Sequence, residues 1–367
     1  MSKRFDVMSL LRKIAGVNQL LLIAFLGLTL LVAHQRWAYH GWDRYFLNTS
    51  YCAPYAYPAY CIRADFLTDG TLILGEYSPL RPGMAALPQS GGRPGQWQDG
   101  PAGQYGQLAR VPTQLQVDYV SLAEGRSYRG LFELPRAVLD SVFAFVGRHP
   151  ARRADLPGRN AYQPGLEFVA GLAPGGVVVV WLKGNDYQVE IARFLARAYP
   201  TTWPKPLAVG NARDLRDLCR LVDSTERAQL AGPALTPFGH WDTLRTRYRY
   251  RIALGPPLRP RELHVYYVDA QQETVLAPFG PGTGGLRAVP QYLIGNPVGA
   301  EYWKKIFTTR FDDKETQRAF AEMQRTSAPG ETFQLQVLPE AGAVRIFLKN
   351  RRQTIELTQA YTDLSGH

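Results

Sequence analysis

The chain has 367 residues, 46% hydrophobic and 20% charged, with a formal net charge of +11. That length suits about two domains, and the apolar content rules out a wholly disordered chain. Only one long apolar run is present, which excludes a multi-span transporter, and the six histidines and three cysteines are too scattered for a metal cluster or a disulfide-dense scaffold.

The apolar run comes first. Residues 1–13 form a basic tail, with Lys3, Arg4, Arg12 and Lys13 against Asp6. Residues 14–35 carry no Asp, Glu, Lys or Arg, and at 1.5 Å per residue they reach roughly 33 Å, enough to cross a hydrocarbon core. Length and flanks favour a retained transmembrane helix over a core helix or a cleaved signal peptide. The basic tail keeps the N-terminus in the cytoplasm, so the body lies on the far side, the periplasm of a bacterium. The expected localisation is therefore the inner membrane, single-pass, with inner-membrane lipid as a partner. Trp37, Tyr39, Trp42, Tyr45 and Phe46 follow and suit either an interfacial aromatic belt or a first strand.

Cys52 and Cys61 bracket a short Tyr/Pro stretch and are a disulfide candidate in an oxidising compartment. Cys219 lies in a helical pattern and reads as a buried, inert thiol. From Ser78 to Arg110, twelve of 33 residues are Gly or Pro, which reads as a long surface loop without regular structure. Within it, Arg81, Arg93, Trp97 and Tyr105 are candidate partner-binding anchors, because Trp, Tyr and Arg dominate interface energetics.

Beyond this loop the periodicities are regular. Strands are expected at 115–120 and 126–134 and an amphipathic helix at 136–148. A three-strand meander follows over 166–194, turning at Ala173-Pro-Gly-Gly and Lys183-Gly-Asn-Asp. Residues 211–230 read as a connecting helix. In His240-Trp241-Asp242 adjacent side chains do not face each other on a helix, which favours a structural role over a catalytic one. The plan then recurs, with a strand at 262–268, a helix at 314–323 and a meander over 332–358. Residues 176–191 align without gaps on 342–357, with Gly176/Gly342, Val178/Val344, Leu182/Leu348, Lys183/Lys349 and Glu190/Glu356 identical. The expected fold class is α+β: two related halves, each an antiparallel sheet plus one helix, behind a single N-terminal transmembrane helix. Residues 36–250 form the first half, with the loop 78–110 and the connecting helix, and 251–367 the second.

No nucleophile elbow, phosphate-binding loop or metal-ligand spacing is found, so no catalytic residue, metal or cofactor is assigned and the chain is not expected to be an enzyme. A basic body outside the cytoplasm with no nucleic-acid motif suits an acidic partner or surface better than nucleic acid.

Gly171-Leu-Ala-Pro-Gly-Gly-Val-Val-Val-Val-Trp-Leu, then Gln188-Val-Glu-Ile, Pro237-Phe-Gly-His-Trp-Asp with Arg245, Arg247 and Tyr248, and Val344-Arg-Ile-Phe-Leu-Lys-Asn with Ile355-Glu-Leu carry a resemblance. Over about Val111 to Thr358 the chain resembles a bacterial envelope family, domain of unknown function 2931. Members of that family are often lipoproteins. This chain departs in having a membrane span and no lipid-accepting cysteine. Members also tend to occur beside type VI secretion genes, near lipase effectors. The resemblance therefore implies an immunity protein that binds and neutralises a type VI secreted phospholipase or lipase effector. The alternatives are an accessory, effector-loading component of the secretion apparatus and, third, an envelope hydrolase.

Overall fold

The computed structural model describes residues 18–19, 21–33, 44–54, 57–68, 71–72, 83–85, 97–99, 107–148, 166–184, 187–200, 239–256, 258, 260–277, 285–296, 306–340 and 343–364. The tail 1–13, the connecting helix expected at 211–230, Cys219, Arg81, Arg93 and Tyr105 lie outside the described residues.

Helix α1 covers 21–33. Its apolar side chains face outward on every side, with Leu21 63%, Phe25 67% and Leu30 69% exposed. Among the described residues no helix is long and apolar enough to cross a membrane. The thirteen residues of α1 reach about 20 Å.

The body is mostly sheet. Its first part comprises β1 (Arg44–Pro54), β2 (Ala59–Thr68), β3 (Thr71–Leu72), β4 (Gly83–Ala85), β5 (Trp97–Asp99), β6 (Gln107–Arg110), β7 (Gln114–Ser121) and β8 (Arg126–Glu133). Helix α2 (Arg136–Arg148) follows, then β9 (Leu166–Leu172), β10 (Val177–Lys183), β11 (Tyr187–Leu195) and β12 (Arg197–Tyr199). A short helix α3 (Gly239–Thr243) leads into β13 (Tyr248–Leu254), β14 (Glu262–Tyr267), β15 (Gln272–Leu276), β16 (Gly285–Arg287), β17 (Pro290–Asn296) and β18 (Phe307–Arg310). Helix α4 (Asp313–Thr326), β19 (Phe333–Glu340), β20 (Ala343–Lys349), β21 (Thr354–Glu356) and β22 (Tyr361–Asp363) complete it.

The strand pairing repeats. One sheet of the first part runs β12-β8-β7-β2-β3, and the matching strands of the second run β22-β18-β17-β14-β15. The partner layer runs β11-β10-β9-β1 in the first part and β21-β20-β19-β13 in the second. In each repeat a helix precedes the meander. The register repeats as well: Trp181 lies opposite Glu190 as Phe347 lies opposite Glu356, and Leu182 opposite Val189 as Leu348 opposite Ile355. These are the pairs that the gapless sequence alignment superposes.

Two expectations are corrected. Each repeat has two sheets rather than one, facing each other across a core. Nor is the sheet purely antiparallel, since β1 pairs in parallel with β9 and β13 with β19. The first strand of each repeat must therefore cross over to reach a strand far along the chain. The repeats join edge to edge, with Tyr187 and Gln188 of β11 opposite Glu273 and Gln272 of β15, making one eleven-stranded sheet. Strand β13 begins at Tyr248 and pairs wholly within the second repeat, running through the expected 250/251 boundary.

The segment 78–110 also differs from the featureless loop expected. Its strand β4 pairs with β2, and β5 and β6 both pair with β1. The disulfide is not formed. Cys52 on β1 and Cys61 on β2 are both thiols, placed in different cores on strands of different sheets.

Side-chain chemistry explains the layers. In the first repeat Leu47 and Phe168 from one sheet meet Leu115, Val117 and Tyr119 from the other, and Leu139 and Phe143 of α2 close the core. In the second, Phe320 of α4 is fully buried. Its ring sits edge-on to Tyr248, Tyr250 and Phe333, with centroids at 5.4, 5.0 and 5.5 Å, a geometry that aromatic quadrupoles favour. Asp312 caps α4 by accepting the Glu315 amide at 2.8 Å, and Asp313 and Glu315 occupy its first turn, where the helix dipole favours carboxylates.

One buried charge fits poorly. Asp65 on β2 is 5% exposed; its Oδ2 lies 3.2 Å from Arg63, and its Oδ1 has no hydrogen-bond partner. Burial raises its pKa above the ordinary 3.8, and Arg63 offsets this only in part. A raised carboxylate pKa means that the folded state holds the proton longer, so stability falls as pH rises through the window that opens near 3.8. Asp65→Asn is therefore expected to be more stable than the parent by about 1 kcal/mol at neutral pH. The gain should shrink toward zero as the pH is lowered to that window. Urea unfolding at both pH values checks this, and a difference that does not change with pH would refute it.

Candidate binding face

Each repeat's β1-type sheet has an inner face on its own core and an outer face. The two outer faces occupy equivalent positions in the duplicated fold but differ in what covers them.

In the first repeat the outer face is apolar. Strand β10 is Val-Val-Val-Val-Trp-Leu-Lys, and its Val177, Val179 and Trp181 are 1%, 4% and 1% exposed. A strand buried on both faces needs such a continuous hydrophobic run. The connector between repeats supplies part of the cover. Trp241 of α3 and the following Leu244 are buried, and Trp241 meets Tyr57 edge-on at 5.5 Å. Three arginine–carboxylate pairs pin this connector. Arg245 forks onto Glu190 of β11 at 2.9 and 2.5 Å, Arg193 of β11 pairs with Asp242, and Arg247 reaches the buried Asp269 at 2.7 Å. Asp269 follows β14 in the second repeat, so the last pair ties the connector to that half. The cavity left among Val179, Trp181, Trp241 and Leu244 is about 10 Å³, space for at most one water.

In the second repeat no described residue covers the same face as Trp241 and Leu244 cover it in the first. Strand β20 alternates, with Ile346 and Leu348 buried inward and Arg345 and Lys349 exposed outward. A groove of about 1060 Å³ lies between this face and the segment 328–332, lined by Arg251, Gln334, Gln336, Lys349, Asn350 and Arg351. Its rim is held in shape. The Glu331 carboxylate accepts the backbone amides of Ala328 and Arg351 at 2.9 and 3.1 Å, and these bonds hold its pKa below the ordinary carboxylate value. Asn350 Oδ1 accepts the amides of Arg352 and Gln353, both at 2.8 Å.

The charge balance of the two faces differs position by position. Lys183 pairs with Glu167 at 3.5 Å; its counterpart Lys349 stands opposite Gln334, which offers no charge. Asn48 is opposite Glu167 on β9, whereas the equivalent residue opposite Gln334 is Arg251. Glu190 takes its arginine from the connector, but Glu356 takes Arg345 from the neighbouring strand at 2.8 and 2.7 Å. Arg345 also lies 4.8 Å from the centroid of the Phe347 ring. Among the described residues, the side chains of Arg251, Lys349 and Arg351 make no ion pair within 4 Å, so the groove lining carries these three cations against the single carboxylate of Glu331, whose charge Arg351 favours. No group of three or more His, Cys, Asp or Glu among the described residues is arranged to hold a metal ion.

Residues 44–223 match the family model described as protein of unknown function, DUF2931. The match supports the family assignment over just under half of the chain. It takes in the first repeat, Gly171–Gly176 and Gln188–Ile191. It begins earlier than the resemblance traced from the motifs and ends before Pro237-Phe-Gly-His-Trp-Asp and the second meander. The second repeat thus lies beyond the DUF2931 match while repeating its strand order. No curated protein and no solved structure matches the chain.

Of the anchors expected from the sequence, Arg81, Arg93 and Tyr105 lie outside the described residues. Trp97 lies on β5 opposite Pro54 of β1. The residues that line the groove were missed because they are ordinary surface types in separate strands. A partial signal was present: Lys183 and Lys349 align, but that Glu167 and Gln334 stand opposite them needed the strand register.

Proposed function

We propose that the chain is a membrane-anchored binding protein of the bacterial envelope, with its body in the periplasm, that captures and neutralises a type VI secreted lipase effector. One observation carries the binding reading: an outer sheet face that is filled in the first repeat stands open, grooved and cationic in the second. The strands that form that face are already ordered in the sheet, so little of their conformational entropy is left to lose on association. The basic tail, the uncharged run 14–35 and the exposed apolar side chains of α1 support the anchor. A tether concentrates the inhibitor at the bilayer that a lipase attacks.

The test uses the full chain in lipid nanodiscs with each purified lipase effector encoded near its gene. Formation of a complex and loss of lipase activity is the expected result. A complex without inhibition would favour an accessory role in effector loading, and no complex would remove the reading.

A further inference from the structure

We infer that the open outer face of the second repeat receives a short acidic segment of the protein partner, its carboxylates held by Arg251, Lys349 and Arg351. This rests on the binding reading above and adds the chemistry of the contact.

The chain carries its own comparison. On the first repeat, α3 and the turn after it already occupy the outer face, with Trp241 and Leu244 against the valine strip and Arg245 on Glu190. This face of the fold thus accepts a short turn of helix as its cover, and the cover brings the charge that the face lacks. On the second repeat the charge requirement is reversed. Glu356 already holds Arg345, so no outside cation is needed there. Gln334 in place of Glu167 removes a negative charge beside a lysine, and Arg251 in place of Asn48 adds a positive one. Both differences favour an anionic occupant.

The shape selects among anions. A groove of about 1060 Å³ is far larger than one phosphate, and its three cations come from different strands and a loop. Arg251 is half-buried on the groove floor, where a flat bilayer surface would not reach it. A protein segment that enters the groove can satisfy the cations with carboxylates and the amides of Gln334 and Gln336 with its backbone.

The probe is a short fluorescent peptide of glutamate and serine, titrated against the full chain in phosphatidylcholine nanodiscs and read by anisotropy. The expected result is saturable binding that weakens with salt and falls about tenfold in Arg251→Gln/Lys349→Gln. Arg136→Gln, on the helix of the first repeat, should bind like the parent. Both altered positions lie on the solvent side of the sheet, and an unchanged circular dichroism spectrum checks folding. No peptide binding by the parent, or equal loss in Arg136→Gln, overturns the inference. So does binding to phosphatidylglycerol nanodiscs or inorganic phosphate with no response to the peptide. The same double variant separates the two levels of the argument. A lipase complex that survives it overturns the acidic-segment inference and leaves the binding reading standing. Peptide binding that depends on both residues, with no lipase complex, supports this face as an acid receptor and removes the lipase reading.

Discussion

Trp241→Ala is expected to destabilise the chain by about 3–5 kcal/mol, the usual cost of truncating a large buried aromatic. Trp241 is 3% exposed and lies between the outer face of the first repeat and Tyr57. The space around it is already filled to within about 10 Å³, so removing the indole opens a cavity that the neighbouring strands cannot collapse. The damage should spread, because the residues flanking Trp241 hold the ion pairs. Asp242 faces Arg193, and Arg245 faces Glu190, whose side chain is only 9% exposed. Loosening the connector would leave those partly buried charges unpaired, which costs more than the pairs contribute. Guanidinium unfolding followed by far-UV circular dichroism gives the number. Phe347→Ala, at the position equivalent to Trp181, is the control and should lose far less because its side chain is only partly buried. A loss below about 1 kcal/mol for Trp241→Ala would mean that the connector does not act as a structural cover.

The meanders, both α2 and α4, and the duplication itself were legible because each rests on local periodicity. Val177 to Leu182 reads as a strand whatever its surroundings, and Pro174-Gly175-Gly176 marks the turn before it. What the sequence hid was long-range. Nothing near Leu47 announces that β1 pairs in parallel with β9, more than a hundred residues away. Parallel pairing has no hairpin turn to mark it. The same gap hid where Cys52 and Cys61 lie: nearness in sequence suggested a bridge, and β1 and β2 enter different sheets. In 78–110 the density of Gly and Pro concealed strands only three or four residues long that depend on β1 and β2 for partners. The candidate binding face was half visible. Val-Val-Val-Val-Trp-Leu against Ala-Val-Arg-Ile-Phe-Leu already distinguishes a strand buried on both faces from one buried on one, so the second repeat must show an outer face to something. Which strands line that face, and that its lysine lacks a carboxylate, required the register.

The turn that starts β10 offers a sharp test of how far local backbone geometry fixes this arrangement. Gly175 and Gly176 both have φ of +78°, a conformation that costs an L-residue about 1–2 kcal/mol. Their surroundings differ. A Cβ on Gly175 would meet nothing within 4 Å, while one on Gly176 would come to 2.4 Å from the Ala196 carbonyl oxygen and 2.9 Å from the Tyr128 ring. Neither neighbour can yield cheaply. Ala196 donates its amide to the Gly176 carbonyl at 2.7 Å, and the Tyr128 hydroxyl is bonded to both oxygens of Glu124 at 3.0 Å. Tyr119 meanwhile holds the Ala173 carbonyl at 2.7 Å, so the turn is fixed from its other side too. Gly175→Ala should therefore cost about 1 kcal/mol from backbone strain alone, and Gly176→Ala about 3 kcal/mol or more, because a backbone collision adds to the same strain. Equal losses in the two variants would show that Ala196 and Tyr128 can move aside, and that the packing between the β10 turn and the β12 edge is looser than its hydrogen bonds imply.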